Sequence, residues 1–412
     1  MKKKLGFWLS SLMMVLLLIG CGGGESSAPA DPDVNNEGTE TAEETPSNEE
    51  TPDVSGEEEI LNIGYSGPLS GPAAFYGENT VSGIRMAVEE INVEGFEVNG
   101  TTYKLNLVTL DDMYMPNESG TNARRLVQEY NTPVVFIPHS GGIFATQVFN
   151  EQENFIIGAY TSEQSVLEQG NELTLRIPPA YDMYPEPFVQ YQQERFGKKL
   201  ALLPTATQYG KDWTEALVPV WEAFGGEVVY DGDIDFGKDT DFFPIVTNAL
   251  SQNPDVLFVG GPSEPTALLI KAARELGFEG GFMIMDQAKF EEMEPVLGGF
   301  DMLEGAVGTL PIVGNGAPGS EAIVEKYEAE HGRVPTAEAA FNYQAMYAFV
   351  EAMKLAGTVE DTKAIMEHLD AGVKAIPDEL IVWHVTGVEN QGMNWKGAVG
   401  AIEDGEIIPL TE

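Results

Sequence analysis

The stretch GYSGPLSGPAAFYGENTVSGIRMAVEEIN, residues 64–92, joins a short strand pattern to an amphipathic helix pattern through a loop rich in glycine, proline and serine. Glycine in such a loop lets the backbone approach another molecule closely. The helix that follows leaves unpaired N–H groups facing the loop. By itself the stretch fits either one wall of a binding site or a solvent-exposed connector.

Strand patterns alternate with helix patterns along the rest of the chain. The first four strand patterns cover 60–67, 103–112, 133–140 and 154–161, and each begins more than twenty residues after the one before. That spacing favours parallel strands with helical crossovers. A second series with the same rhythm begins at residue 198. About 350 residues of this kind suit two domains, and the pattern predicts two doubly wound, Rossmann-like α/β lobes.

The first twenty residues have the pattern of an export signal. Three lysines precede an apolar core that is too short for a comfortable membrane span. The motif LIGC at 18–21 resembles the bacterial lipobox, in which the cysteine is lipidated and becomes the first mature residue. We therefore predict a signal peptide over 1–20 and a lipid anchor on Cys21. The alternative is an ordinary signal peptide that happens to contain a cysteine.

The segment that follows Cys21 is strongly acidic. Residues 25–59 hold 13 Asp or Glu and no Lys or Arg. Such a segment cannot bury a core and repels itself, so 21–59 is predicted to be the lipidated cysteine and a disordered tether. A partner-binding role is the alternative. Cys21 is also the single cysteine, which leaves the mature body without disulfides, cysteine-ligated zinc or thiol catalysis.

The formal net charge of the whole chain is −44. This excess argues against nucleic acid and anionic membrane surfaces as partners. No GxSxG, HExxH, Walker or GxGxxG motif occurs in a usable context. His331, His368 and His384 are too far apart in sequence for a metal motif. We therefore expect neither enzymatic activity nor a cofactor.

Ligands on open parallel sheets bind beyond the carboxyl ends of the strands. The segments at those ends are 65–76, 139–142, 159–161, 205–209 and 260–263, together with Asp286. Most of them carry glycine or hydroxyl residues beside a predicted helix start, which is a favourable place for a carboxylate. The opening loop is therefore predicted to be one wall of a cleft.

At this point the chain resembles the type I periplasmic solute-binding proteins of the branched-chain amino acid branch, which serve ABC transporters. The resemblance covers nearly the whole body, and its motifs keep the family's order and spacing. They are SGPAAFYG (70–77), QYG (208–210), TDFFPIV (240–246), NPDVLFVGG (253–261), AARELGF (272–278) and FNYQAMYAFVEAMKLAG (341–357).

The resemblance implies two lobes that close over a ligand by hinge motion, joined by three crossovers near 176–178, 309–311 and 383–385. Lobe 1 would then hold 60–178 and 311–383, and lobe 2 would hold 179–310 and 384–412. The implied function is capture of a small ligand, an amino acid, outside the cytoplasmic membrane. The ligand would be delivered to the permease subunits of an ABC importer, with the protein anchored to the membrane by its lipid.

The resemblance also implies the ligand contacts. The carboxylate would be held by hydroxyl and backbone N–H groups, Asp286 would pair with the ammonium, and tyrosines would cover the ligand. The implied set is Tyr76, Ser140, Gly141, Gly142, Ala159, Tyr160, Thr161, Tyr209, Gly261 and Asp286.

Three departures from the family pattern bear on the ligand. HSGGIF at 139–144 has fewer hydroxyls than relatives have, Pro262 stands where relatives have a tyrosine, and Asp286 is shorter than the usual glutamate. The alternatives are therefore an aromatic or short carboxylic acid, or an amide, and His139 fits a different anion or an aromatic acid. A sensory receptor of the same fold is a further alternative.

Overall fold

The computed structural model describes residues 58–71, 73–236 and 238–410, which belong to one compact unit. The predicted signal peptide, Cys21 and all but the last two residues of the acidic tether lie outside the described residues. Among the helices that are described, none has the length and apolar character needed to cross a membrane.

Strands and helices alternate through most of this unit. Within the described residues the strands are β1 (Glu58–Gly67), β2 (Phe96–Val98), β3 (Thr101–Asp111), β4 (Val134–Ile137), β5 (Ile156–Ala159), β6 (Thr174–Arg176), β7 (Lys199–Pro204), β8 (Glu227–Asp231), β9 (Val256–Gly260), β10 (Gly281–Ile284), β11 (Ala306–Thr309), β12 (Val385–Glu389), β13 (Gly392–Trp395), β14 (Val399–Glu403) and β15 (Glu406–Pro409). The α-helices are α1 (Ala74–Glu94), α2 (Pro116–Tyr130), α3 (Ser140–Gln147), α4 (Asn150–Glu153), α5 (Pro185–Arg195), α6 (Gln208–Ala223), α7 (Phe243–Leu250), α8 (Ser263–Glu275), α9 (Phe290–Leu297), α10 (Ser320–His331), α11 (Ala337–Ala356) and α12 (Thr362–Ala375).

The strands form two sheets, each with a parallel centre. The first sheet has the order β12-β13-β6-β5-β4-β1-β3-β2, and the second has the order β15-β14-β11-β10-β9-β7-β8. Strand β1 pairs in parallel with β3 on one side and β4 on the other, and β7 does the same with β8 and β9. The strand order therefore reverses beside β1 and beside β7, as in doubly wound sheets. The predicted fold class is confirmed.

Helices cover both faces of each sheet, and we call each sheet with its helices a lobe. Val134 and Phe136 of β4 belong to one apolar cluster, whereas Val135 and Ile137 belong to another. Strand β9 divides its residues between two clusters in the same way. Alternate side chains of a strand point to opposite faces, so each sheet is buried on both sides. Helices α1–α4 and α10–α12 pack on the first sheet, and α5–α9 pack on the second.

The return to the second sheet near the end of the chain occurs later than expected. The prediction placed the passage at 383–385 and all of 384–412 in lobe 2, which is wrong for 385–395. Strand β13 pairs with β6, and the Trp395 indole N–H donates to the Ile177 carbonyl at 2.6 Å. These contacts hold β12 and β13 in the first sheet, so the passage lies between Trp395 and Val399.

Two glycines of the opening stretch, both in α1, serve packing within the protein. A Cβ atom on Gly77 would lie 1.7 Å from the Pro68 carbonyl oxygen, and one on Gly83 would lie 1.9 Å from the Ala339 carbonyl oxygen. The first glycine lets α1 begin directly against its own loop, and the second lets α1 pack closely on α11. These glycines support the cleft from behind and do not themselves line it.

Candidate ligand-binding site

A cavity of about 640 Å³ lies at the carboxyl ends of the central strands of both sheets. This volume falls within the range of small-molecule sites in proteins. Its lining includes seven of the ten predicted contact residues, which are Tyr76, Ser140, Gly141, Tyr160, Thr161, Tyr209 and Asp286. The cleft position predicted from strand ends therefore agrees with the position of the cavity.

The N-terminus of α3 provides hydrogen-bond donors to this cavity. The first amides of a helix have no intrahelical partner. The Gly142 N–H donates to His139 Nδ1 at 3.0 Å, and the Ile143 N–H donates to the His139 carbonyl at 3.1 Å. The amides of Ser140 and Gly141 have no partner among the described residues, and both residues line the cavity. Two backbone donors are therefore available at this end.

Two hydroxyls lie beside these amides. Ser140 Oγ and Thr161 Oγ1 are 2.8 Å apart, one in the first turn of α3 and the other two residues after β5. Each hydroxyl has one proton, so while this hydrogen bond stands one of the pair can turn its proton toward an anionic ligand group. The two residues expected to share a carboxylate are thus in direct contact.

His139 holds α3 in place through a buried network. Because Nδ1 accepts the Gly142 N–H, the proton of the neutral ring lies on Nε2, which is 3.0 Å from Asp112 Oδ2. Ser119 Oγ donates to the same carboxylate oxygen at 2.6 Å. Burial opposes ionisation of Asp112, but the hydrogen bonds from His139 and Ser119 outweigh it and lower its pKa. His139 also lines the cavity, so it can both support the site and contact a ligand.

Three predicted contact residues do not line the cavity. The Gly142 amide is occupied by His139, and Ala159 is buried within β5. Gly261 acts indirectly, because a Cβ atom there would lie 2.4 Å from the ring of Phe236, which does line the cavity. The small side chain at 261 therefore makes room for an aromatic wall residue.

Tyrosines form much of the apolar wall. The Tyr76 hydroxyl donates to the Pro138 carbonyl at 2.8 Å, and the Tyr76 ring lies 6.4 Å from the rings of Tyr114 and Tyr160. Burial raises the pKa of Tyr114 to about 12 and raises the pKa values of Tyr76 and Tyr160 well above the usual range. These phenols therefore remain protonated at neutral pH. Tyr114 was missed because its loop, DMYMPN, has no strand or helix pattern.

Asp286 lies after β10 and is held by two donors from α6. Trp213 Nε1 donates to Asp286 Oδ1 at 2.8 Å, and the Tyr209 hydroxyl donates to the same oxygen. Trp213 is fully buried. The carboxylate is therefore oriented from behind, and no partner is found for its Oδ2 among the described residues. Trp213 is thus both a core residue and, through its indole N–H, a support for the site.

An ion pair that was not predicted from the sequence joins the two lobes at the cavity. Lys289 Nζ lies 3.0 Å from Glu338 Oε1, and the side chains are 4% and 1% exposed. Both residues line the cavity. Burial disfavours the Lys289 ammonium, but the charges of Glu338, Asp286 and Glu292 outweigh it and raise its pKa. A charged residue inside the apolar run TAEAAF was the available signal for Glu338.

Glu163 is a further acidic residue of the cavity wall. Glu163 is 2% exposed and lines the cavity. Burial raises the pKa of its carboxyl group, while hydrogen bonds from the Ser140 and Ser165 hydroxyls act in the opposite direction. Among the described residues, no group of three or more His, Cys, Asp or Glu is arranged to hold a metal ion. The arrangement therefore provides hydrogen-bond donors, carboxylates and aromatic rings for binding a small molecule.

Comparison with known proteins gives consistent results. A family model described as "Periplasmic binding protein" matches residues 61–391. An amino acid binding protein of Pseudomonas aeruginosa is 27% identical over 307 residues, which cover 73% of this chain and 80% of that protein.

Two solved structures have the same fold. The branched-chain amino acid transporter substrate binding protein LivJ from Streptococcus pneumoniae, in complex with isoleucine, has a TM-score of 0.73 at 20% identity and covers 86% of this chain and 99% of its own. A solute binding protein of an ABC transporter from R. palustris, in complex with 4-hydroxybenzoate, has a TM-score of 0.70 at 20% identity. The match covers 85% of this chain and 95% of that protein's chain.

Proposed function

Because this chain belongs to the periplasmic binding protein family, which binds solutes outside the cytoplasm, we propose that it captures an amino acid in the cavity between its lobes. The bound amino acid is delivered to the permease subunits of an ABC importer. The amino acid binding protein of P. aeruginosa supports this ligand class.

One observation carries the proposal. The cavity has a cluster of donors from the first lobe, formed by α3 and Thr161, and a carboxylate from the second lobe, Asp286. A helix N-terminus favours a carboxylate, and a carboxylate favours an ammonium. An α-amino acid carries both groups, so it can bridge the two lobes and hold them closed.

A second candidate is an aromatic carboxylic acid without an amine. The R. palustris protein holds 4-hydroxybenzoate, and the cavity of this chain has tyrosines that can pack against an aromatic ring. The charges argue against it. Among the described residues that line the cavity, Glu163, Asp235, Asp286 and Glu338 face one lysine, Lys289, and no arginine. An anion without a cationic group would be repelled by this excess.

A thermal-shift screen separates the two candidates. The purified protein is heated with single amino acids and, in parallel, with 4-hydroxybenzoate and short carboxylic acids. A ligand at a hundredfold excess over its dissociation constant stabilises the fold by about 2.7 kcal/mol. We expect such a shift with at least one amino acid. A shift with carboxylic acids alone would support the second candidate, and hydrolysis of a test substrate without any shift would contradict both.

We further propose that Cys21 carries a lipid that anchors the protein to the outer face of the cell membrane. The LIGC motif and the acidic tether after it support this assignment. Stable anchoring generally needs more than one acyl chain, and a diacylated cysteine meets that need.

A further inference from the structure

Glu338 has a carboxylate oxygen that nothing in the described part of the protein uses. The residue lies in the first turn of α11, lines the cavity and is 1% exposed. Its Oε1 pairs with Lys289, whereas its Oε2 is buried and has no hydrogen-bond partner among the described residues. A buried carboxylate oxygen without a donor is unfavourable, so this atom points to a donor from outside the chain.

Lys289 fixes the orientation of Glu338. Its ammonium donates to Glu338 Oε1 and also to the backbone carbonyl of Asp286. Because Lys289 belongs to the second lobe and Glu338 to the first, the position of the free Oε2 depends on the lobes being together. A ligand group that binds Oε2 therefore binds the same closed arrangement that brings Asp286 to the cavity.

The local charge balance also favours a donor. The charges of Glu338 and Asp286 both act on the single ammonium of Lys289. An α-amino acid has no net charge, so it leaves this excess of carboxylates unchanged. A side chain with a nitrogen donor, either an amide N–H or an ammonium, would supply the missing partner.

We propose that Glu338 is a specificity-determining residue whose Oε2 accepts a hydrogen bond from a nitrogen on the ligand's side chain. The ligand class is then amino acids with an amide or basic side chain rather than a purely aliphatic one. This inference rests on the proposed function, in which Asp286 takes the α-ammonium.

The test is a calorimetric titration of the purified protein with amino acid pairs of similar shape. Asparagine is compared with leucine, and lysine and glutamine are compared with norleucine. A site with a buried polar group discriminates strongly against an analogue that lacks the matching donor. We expect at least one nitrogen-bearing member to bind roughly 100-fold more tightly than its aliphatic partner. Equal or tighter binding of the aliphatic members would overturn the proposal.

Glu338→Gln tests the same contact from the protein side. The Lys289 ammonium would still donate to the amide oxygen, so the NH₂ group would take the place of Oε2. It would then face the N–H of the ligand, and two donors cannot form a hydrogen bond. We expect the preference for the nitrogen-bearing ligand to fall about tenfold or more, whereas Glu351→Gln, on the same helix but away from the cavity lining, leaves it unchanged. An unchanged preference in folded Glu338→Gln would overturn the proposal.

The selectivity of the unmodified protein decides the question if Glu338→Gln does not fold. The outcomes also separate this inference from the function beneath it. Tight binding of leucine and norleucine with no preference for nitrogen would refute the role of Glu338 and leave amino acid capture standing. No binding by any amino acid would refute both.

Discussion

Ser162 Oγ of the first lobe lies 3.2 Å from the Tyr209 hydroxyl of the second lobe. Ser162 follows β5, and Tyr209 is in the first turn of α6, so this hydrogen bond joins the two walls of the cavity directly. Asn79 of α1 also donates to Glu292 of α9, and Glu338 pairs with Lys289. The walls can separate only if these contacts break.

We expect lobe closure to accompany binding, because the donors and Asp286 lie on different lobes. Interlobe hydrogen bonds compete with water when no ligand is present, and a ligand that contacts both lobes shifts the population toward the closed form. Small-angle scattering should show a smaller radius of gyration with saturating ligand than without it. Identical profiles would indicate a fixed cleft.

Thr161→Val is expected to weaken ligand binding by about tenfold or more, because a hydrogen bond to a charged group contributes about 1.5–3 kcal/mol. The variant keeps the shape of the side chain and removes the hydroxyl that contacts Ser140. Calorimetric titration measures the effect, with melting temperature as the check on folding. Thr121→Val, which removes an exposed hydroxyl from α2, serves as the control. Equal affinities in the two variants would argue against a carboxylate contact at Thr161.

The protein is expected to lose stability as the pH rises from about 5 to 8. Burial raises the pKa of Glu291 to about 8 and the pKa of Glu292 to about 7. In this range the native state binds more protons than the unfolded state, so the free energy of unfolding falls with rising pH. Each pKa unit corresponds to about 1.4 kcal/mol, so the loss is roughly a few kcal/mol.

Glu291→Gln should flatten this dependence, since both carboxylate oxygens of Glu291 are buried without a partner among the described residues. Glu294→Gln, an exposed site on the same helix, controls for the general effect of removing one negative charge. Melting temperatures are measured from pH 5.5 to 8.5. Parallel curves for the two variants would show that Glu291 does not titrate in this range.

Features with a local sequence pattern could be predicted. The strand ends that carry Ser140, Thr161 and Asp286 were identified because parallel strands place their carboxyl ends together. The lobe to which β12 and β13 belong could not be predicted, because β-rich segments pair according to long-range contacts such as that of Trp395 with Ile177. No local pattern distinguishes one sheet edge from another.

The limits of prediction within the site have the same cause. Lys289 and Glu338 are 49 residues apart and meet only across the two lobes. Gly142 was expected to contact the ligand, yet its backbone N–H is occupied because it donates to His139 Nδ1. Which donors remain free at a helix start depends on side-chain orientation, which sequence spacing does not determine.

Cys21→Ser should release the protein from the membrane or block its processing. The serine hydroxyl cannot replace the thiol as the site of lipid attachment, so the acidic tether would have no anchor. The measurement is the distribution of the protein between membrane and medium after detergent-free washing. An unchanged membrane fraction would count against the lipoprotein assignment.

The central claim is that the cavity binds an α-amino acid through Asp286. Asp286→Asn keeps an oxygen to accept from Trp213 and Tyr209 and removes only the charge that faces the ligand. Losing one partner of a buried charge pair costs about 2–5 kcal/mol, and the amide should retain part of that interaction.

The most direct measurement is therefore the dissociation constant of the preferred amino acid, and of its deaminated carboxylic acid, for the unmodified protein and for Asp286→Asn. We predict that the amino acid binds about tenfold or more weakly to the variant, while the deaminated acid binds equally or more tightly. Tighter binding of the amino acid to Asp286→Asn would contradict the account.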